Sequence, residues 1–158
     1  MRSQECTRPQ TQRGIAMVEF AIALPLLVLL LLGIAEFGRM LYQYNSLLQA
    51  SRDAGRFAAG QAWNATLGKV DLPSGGALET QTKNVAVYGV PANPNGYPSV
   101  VPGLTAADVQ VSAQGTDHVR VSISYIFQPV IGTGLPALIG DAIPMNFPLV
   151  ATTIMRAL

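Results

Sequence analysis

One long apolar segment near the N-terminus limits what this chain can fold into. From Ile15 to Ala35 every residue is apolar or small except Glu19. As an α-helix these 21 residues would be about 31 Å long at ~1.5 Å per residue, which matches a hydrocarbon core of ~30 Å. A core helix of a soluble protein needs a polar face, and this segment lacks one. The segment therefore predicts a transmembrane helix.

The charges before this segment predict its orientation. Arg2, Arg8 and Arg13 precede it, against Glu5 alone. Because positively charged flanks stay in the cytoplasm, we expect a cytoplasmic N-terminus and an exported C-terminal domain. The whole chain is 49% hydrophobic and 12% charged, whereas soluble domains carry about 25% charged residues. Its net charge of +1 gives no basic bias towards nucleic acid.

A cleaved secretory signal peptide is the competing interpretation of the same segment. The arginines would form its basic region, and Gly33 and Ala35 loosely fit a cleavage site. The apolar run is longer than the usual ~7–15 residues of such a peptide. The helical pattern also continues past Ala35 without a turn signal. Cleavage there would release the rest of the chain as a secreted binding module.

Two residues interrupt the apolar character of the predicted span. Pro25 predicts either a mild kink or a local break against which a partner helix packs. A carboxylate such as Glu19 costs ~2.5–3.5 kcal/mol at a membrane helix centre. Glu19 either reaches the interface or pairs with a cation. A cut after Gly14 would create that cation as the new amino group of Ile15, four residues away.

The residues around Gly14 resemble the processing site of type IV pilins, most closely that of Flp-type pilins and pseudopilins. Those proteins are cut after a glycine, and the fifth mature residue is a glutamate followed by an aromatic. The wider segment 14–60 resembles the N-terminal block of the TadE-like family of tight-adherence pilus proteins. The residues that carry this resemblance are Gly14, Glu19-Phe20, Leu24-Pro25-Leu26-Leu27, Gly33, Phe37-Gly38-Arg39 and Ala50-Ser51-Arg52-Asp53-Ala54-Gly55-Arg56. Flp sites prefer a tyrosine where this chain has Phe20, but TadE-like members accept phenylalanine at this position.

The resemblance implies a processed pilus protein. A prepilin peptidase would cut between Gly14 and Ile15, with Glu19 and Phe20 as the processing and assembly motif. The role implied is a minor pilin, pseudopilin or assembly factor of a tight-adherence (Flp, type IVb-like) pilus. The implied partners are the peptidase, other pilins or pseudopilins, the inner-membrane assembly platform and membrane lipid, without nucleic acid. The chain would cross the inner membrane once, with its domain in the periplasm or in an extracellular pilus.

An unprocessed, membrane-anchored interaction domain of the cell envelope is the alternative. In both cases we expect four regions along the chain. They are a basic leader peptide (1–14), a transmembrane helix (15–35), an amphipathic extension of that helix (36–60) and a small extracytoplasmic α+β domain (61–158).

The helical period continues beyond the predicted span. Residues recurring every three or four positions predict an apolar face for a helix that ends near Ala59 and Gly60. That face comprises Phe37, Met40, Leu41, Tyr44, Leu47, Leu48, Ala54 and Ala58. We expect Glu36, Arg39, Gln43, Arg52, Asp53 and Arg56 on the other faces.

The remaining sequence predicts a small sheet beside this long helix. Residues 77–88 predict a helix, 63–76 a short helix or loop, and the proline-rich residues 89–107 an irregular loop. Alternation over 109–113 and 119–125, around Gly115-Thr116-Asp117, predicts a β-hairpin. A second loop is expected over 128–141, and a last strand over 145–155, interrupted by Pro148. The fold class expected is α+β and pilin-like.

The sequence offers little material for catalysis. Cys6 is the single cysteine, and it lies in the leader; His118 is the single histidine, beside Asp117 at the predicted hairpin. A zinc site needs three or four ligands, and no phosphate-binding glycine motif follows a strand. We therefore expect neither cofactor nor metal, and a peptidase substrate rather than an enzyme.

Overall fold

A computed structural model gives the fold of residues 12–130, 134–135, 143–144 and 146–158. The predicted leader as far as residue 11, with Arg2, Cys6 and Arg8, lies outside these described residues. So do Met145 and most of the loop predicted over 128–141. The structure has a long N-terminal helix and a small antiparallel sheet, so the predicted α+β fold is confirmed.

A single helix, α1, runs from Gln12 to Ala59 without interruption. Its first half is rich in leucine and its second half in alanine and arginine, all strong helix formers. Among the described residues it is the one helix long and apolar enough to cross a membrane, by length and composition. No residue of its most apolar stretch is buried within the protein. The helix ends before Gly60, whose amide bonds to the carbonyl of Arg56 at 3.1 Å.

The domain that follows contains one further α-helix and several strands. A small hairpin comes first, from β1 (Trp63–Asn64) and β2 (Lys69–Val70), and α2 (Ala77–Tyr88) follows it. Gly89 ends α2 in the left-handed conformation with φ 75°, which glycine adopts without strain. A 3-10 turn (Ala106–Asp108) closes the long loop that leads to the sheet.

The main sheet has three antiparallel strands in the order β3-β4-β7. They are β3 (Val109–Gln114), β4 (His118–Ile126) and β7 (Pro148–Arg156). A separate pair, β5 (Gly134–Leu135) and β6 (Ile143–Pro144), lies in the connection from β4 to β7. In the register of the long pair, His118 faces Arg156 and Ile126 faces Pro148.

Both helices pack on one face of the main sheet. α1 contacts β4 and β7, and α2 contacts α1 and β3. Alternate residues of β4 point to these helices and are buried, namely Val119, Val121, Ile123 and Tyr125. The Tyr125 hydroxyl donates to the carbonyl of Pro102 at 2.9 Å, and burial raises its pKa, so it stays a neutral donor.

Small residues on α1 allow the sheet to approach this helix closely. Ala50, Ala54 and Ala58 are buried within the domain. A Cβ atom on Gly55 would lie 3.4 Å from Thr153 Cγ2 and 3.5 Å from the sulfur of Met155. Because protein interiors are close-packed, a larger side chain at such a position would push the two layers apart.

The predicted apolar face of α1 is wrong over residues 36–44. Phe37, Leu41 and Tyr44 are exposed, whereas Glu36 and Gln43 are buried. The face that packs on the domain is therefore rotated around the helix axis, and apolar residues point outwards near the predicted membrane boundary. Farther along, the prediction holds for Leu47, Ala54 and Ala58, which are buried. Arg52, Asp53 and Arg56 are exposed, as expected of a solvated face.

Two further predictions need correction. Residues 63–76, for which a short helix or loop was predicted, contain the β1–β2 hairpin. Pro148 begins β7 instead of interrupting it, which suits a residue that has no N–H to donate within a ladder. The predicted second helix, the irregular loop before the sheet and the β3–β4 hairpin are confirmed.

Replacing Gly55 by leucine should loosen the contact between α1 and the sheet. We expect a loss of about 1–3 kcal/mol in the free energy of unfolding, because the added side chain meets Thr153 and Met155. Near-UV circular dichroism of the protein in detergent during heating measures this change. Gly38→Leu is the matched control on the same helix, since a Cβ atom there has nothing within 4 Å among the described residues. Equal melting temperatures for the two variants would contradict the close packing at Gly55.

Candidate functional site

The predicted processing segment occupies the first turns of α1. Gly14, Ile15, Glu19 and Phe20 are all exposed. A Cβ atom built on Gly14 would meet no described atom within 4 Å. The Gly14–Ile15 bond is therefore free of packing from the domain, which begins to bury α1 only at Glu36.

Glu19 lies one helical turn beyond Ile15. Residues four apart on a helix are neighbours on one face. Here that face is a shallow apolar groove lined by Gly14, Ile15, Val18, Glu19 and Ile22. The backbone places the carboxylate of Glu19 on the same side of the helix as the residue that would begin a processed chain.

Pro25 does not break the helix. α1 is continuous through it, and the residue is exposed. The local break predicted as one alternative is therefore wrong, and a partner helix at this position stays a prediction. Interior prolines are tolerated in membrane helices when nearby groups adjust to the freed carbonyl.

The domain is fastened to α1 at a point directly after the apolar run. Glu36 is the first buried residue of α1 in the described part of the chain, with 4% of its surface exposed. One carboxylate oxygen accepts the backbone N–H of Val130 at 2.9 Å. The other accepts the Nε–H of Arg39 at 3.3 Å. Both oxygens of this buried carboxylate are thus hydrogen-bonded, as a buried charge requires.

Arg39 completes the contact from the next turn of the helix. Its guanidinium donates to the carbonyl of Gln128 and lies over the ring of Phe127, with Cζ 5.1 Å from the ring centre. A cation over an aromatic face is stabilised by the ring quadrupole. Glu36 and Arg39 together hold the backbone that leaves β4, and we call this arrangement the Glu36–Arg39 clasp.

Two stacked phenylalanines lie next to the clasp. Phe127 is fully buried, and its ring stacks on Phe147 with centres 6.2 Å apart. The amide of Phe127 also donates to the carbonyl of Phe147 at 3.1 Å. The end of β4 and the start of β7 are therefore joined to each other and to α1 at one place.

Sequence reasoning missed the clasp because it assigned Glu36 and Arg39 to the outward faces of α1. The sequence signal for the clasp was the spacing of these two residues. Glu36 and Arg39, one acidic and one basic, lie three positions apart directly after an apolar run, a spacing that suits an ion pair on one helix face. Their common partner on residues 127–130 is 88 or more residues away in the chain, and no local pattern indicates it.

His118 and Asp117 form a contact at the opposite end of the sheet. Asp117 Oδ1 lies 2.7 Å from His118 Nδ1, and Asp117 Oδ2 lies 3.4 Å from Arg156 Nε. His118 faces Arg156 across the β4–β7 ladder, so these polar contacts join the two strand ends. Within the described ranges no group of three or more His, Cys, Asp or Glu side chains is placed to hold a metal ion.

Removing the carboxylate of the clasp should destabilise the domain. For Glu36→Ala we expect a loss of about 1–3 kcal/mol, since the hydrogen bonds from the Val130 N–H and the Arg39 Nε–H to a charged carboxylate are removed. Glu36→Gln keeps an acceptor oxygen and should lose less. Chemical denaturation of the protein in detergent measures both values.

The matched control for this loss is Asp53→Ala, farther along the same helix. The Asp53 side chain is exposed. Because exposed charges contribute roughly 0–1 kcal/mol, the control should change stability little. A loss for Glu36→Ala no greater than that of the control would contradict the role given to the clasp.

Comparison with known proteins addresses the segment that contains the predicted processing site. Residues 14–56 match a family model described as TadE-like protein. A search of curated proteins found no match to the chain, and neither did a search of solved structures. The matched residues include the Gly14–Phe20 segment, the apolar run and the clasp residues Glu36 and Arg39. The resemblance of this segment to the TadE-like family is therefore confirmed.

Proposed function

We propose that this chain is a minor pilin, pseudopilin or assembly factor of a tight-adherence pilus, anchored in the inner membrane through residues 15–35. The observation that carries the proposal is the exposed Gly14–Ile15 bond with Glu19 one turn later, at the start of an unbroken helix. That helix leads into an α+β domain. The TadE-like match over residues 14–56 supports a role in such a pilus.

The proposed cut would create a positive charge that can pair with Glu19. A free α-amino group has an ordinary pKa of about 7.7–8.0 and is largely cationic at neutral pH. Cleavage after Gly14 would place this charge at Ile15, on the same face as the Glu19 carboxylate. An ion pair there, within one chain or between neighbours, offsets the ~2.5–3.5 kcal/mol that an isolated carboxylate costs in a membrane.

The exposed apolar surface of α1 supports assembly with other helices. No part of its most apolar stretch is covered by the domain. Phe37, Leu41 and Tyr44 extend this apolar surface beyond Ala35 on the side that faces away from the sheet. Lipid covers the first part of this surface in the membrane, and the helices of other pilins would cover it in a filament.

The attachment of the domain supports retention of the span. A signal-peptidase cut after Ala35 would divide α1 directly before Glu36. Glu36 would then be the N-terminal residue, and its new amino group would lie beside its own buried carboxylate, which accepts the Val130 N–H. A chain that keeps α1 intact through this point preserves the clasp. We therefore place secretion as a free module behind the pilin proposal.

An unprocessed, membrane-anchored envelope domain is the second candidate. The observation that favours it is that α1 begins at Gln12, so the Gly14–Ile15 bond lies within a helix. Cleavage then requires this turn to open. Orientation of the anchor, with the leader in the cytoplasm and the domain in the periplasm, is the same in both candidates. In both, the chain acts without a cofactor and is not an enzyme.

Processing can be tested at its proposed site. We expect the protein extracted from the membranes of its own host to begin at Ile15, and Gly14→Ala to retain the longer precursor. Peptide mass spectrometry of the N-terminus distinguishes the outcomes. Gly38→Ala is the control, since it changes a glycine of the same helix outside the site. A wild-type chain that begins at Met1 would favour the unprocessed anchor, and one that begins at Glu36 a secreted domain.

Assembly can be tested at Glu19. We expect Glu19→Ala to leave the protein in the membrane fraction but to abolish or strongly reduce piliation, because the new amine at Ile15 loses its partner. Membrane fractionation and electron microscopy of cells measure the two effects separately. Asp71→Ala, which removes an exposed carboxylate of the domain, should leave piliation unchanged. Normal pili on cells with Glu19→Ala would sink the proposed role of this carboxylate.

A further inference from the structure

We propose that one end of the domain rests in the boundary between lipid and water, with Val130, Ile126 and Phe147 in contact with the lipid; this rests on the membrane anchor proposed above. The surface concerned consists of residues 36–41, 126–130 and 146–148, and we call it the Glu36 end of the domain. Its proposed partner is the bilayer itself, not another protein.

The Glu36 end exposes large apolar side chains. The exposed fraction is 72% for Val130, 60% for Ile126 and 40% for Phe147. On α1, Phe37 is 54% exposed and lies at the same level along the helix axis. Isolated exposed apolar residues are common on proteins, but a group at one end of a domain indicates a surface that something covers.

The clasp fixes this group at the height of the predicted membrane boundary. Glu36 follows Ala35, the last residue of the apolar run, and its carboxylate holds the N–H of Val130 at 2.9 Å. Phe37 is only ~3 Å farther along the helix axis than Ala35, at ~1.5 Å per residue. Because the headgroup layer extends several ångströms beyond the hydrocarbon core, a span that ends at Ala35 puts Val130 in that layer.

The charges of the domain are distributed in agreement with this placement. In residues 36–41, 126–130 and 146–148 the only charged residues are Glu36 and Arg39. Both are bonded to each other and to the backbone of residues 128 and 130. The opposite end of the domain carries Lys69, Asp117 and Arg156, of which Lys69 and Arg156 are well exposed. One end is thus suited to water and the other to lipid.

The direction of the strands places the end of β4 and the start of β7 at the same end of the sheet. β4 runs from the Ala59 end of α1, where the Leu158 amide bonds to the carbonyl of Ala59 and His118 faces Arg156, down to Ile126. β7 starts at Pro148, opposite Ile126. The exit from β4 and the entry to β7 therefore both lie at the Glu36 end, where apolar contacts can enter the interface to a depth of ~5–10 Å.

Tryptophan fluorescence tests this placement, because Trp63 is the single tryptophan of the chain. Trp63 follows the far end of α1, about 35 Å from Glu36 along the helix at ~1.5 Å per residue. The test protein carries Trp63→Phe together with Val130→Trp, in vesicles whose lipids are brominated near the headgroup end of the acyl chains. We expect its emission to shift to the blue and to fall by about half, since the side chain would enter the lipid boundary.

Two controls separate this proposal from the anchor on which it rests. The unmodified chain, which has only Trp63, should show no quenching. Trp63→Phe with Leu27→Trp, in the middle of the apolar run, should be quenched by lipids brominated deeper in the acyl chains. If the tryptophan at position 27 is strongly quenched while the one at position 130 emits like Trp63, the anchor stands and the lipid contact is overturned. Absence of quenching at position 27 would overturn the anchor, and the lipid contact with it.

Discussion

Close contact between the small-residue face of α1 and the sheet determines how the rest of the chain is arranged. Ala50, Ala54 and Ala58 are buried, and Gly55 lies against Thr153 and Met155. Ser51 adds a hydrogen bond of 2.8 Å to the hydroxyl of Thr153. Since the helix and β7 approach this closely, the strands follow the helix over its outer half, and their ends are brought to Ala59 and to Glu36.

The Glu36–Arg39 clasp supplies hydrogen-bond partners for the backbone that follows β4. Where β4 ends, its backbone leaves the ladder, and its N–H and C=O groups must bond to side chains, to other backbone groups or to water. The carboxylate of Glu36 takes the Val130 N–H, and the guanidinium of Arg39 takes the Gln128 carbonyl. A charged pair that one would assign to solvent from its sequence context instead satisfies the irregular backbone next to the apolar run.

The sequence predicts those parts of the fold that depend on local patterns. The length of α1, the position of α2 before Gly89 and the β3–β4 hairpin follow from period, glycine and alternation, and the structure agrees. The sequence did not predict which face of α1 is buried near Glu36. That face is polar there, and it is buried because it contacts residues more than 80 positions away in the chain. In the candidate site, the positions of Gly14 and Glu19 on one helical face follow from spacing alone. The clasp depends on long-range contacts, which no residue pattern encodes.

The continuity of α1 has a mechanical consequence. One helix, without a break at Pro25, connects the apolar run to the domain, and β4 and β7 lie alongside its outer half. A force on the domain along the helix axis therefore acts in shear on the whole contact between helix and sheet. Many packed side chains and the clasp resist it together, instead of separating one after another as in peeling. The domain and the apolar half of α1 thus respond to such a force as one unit.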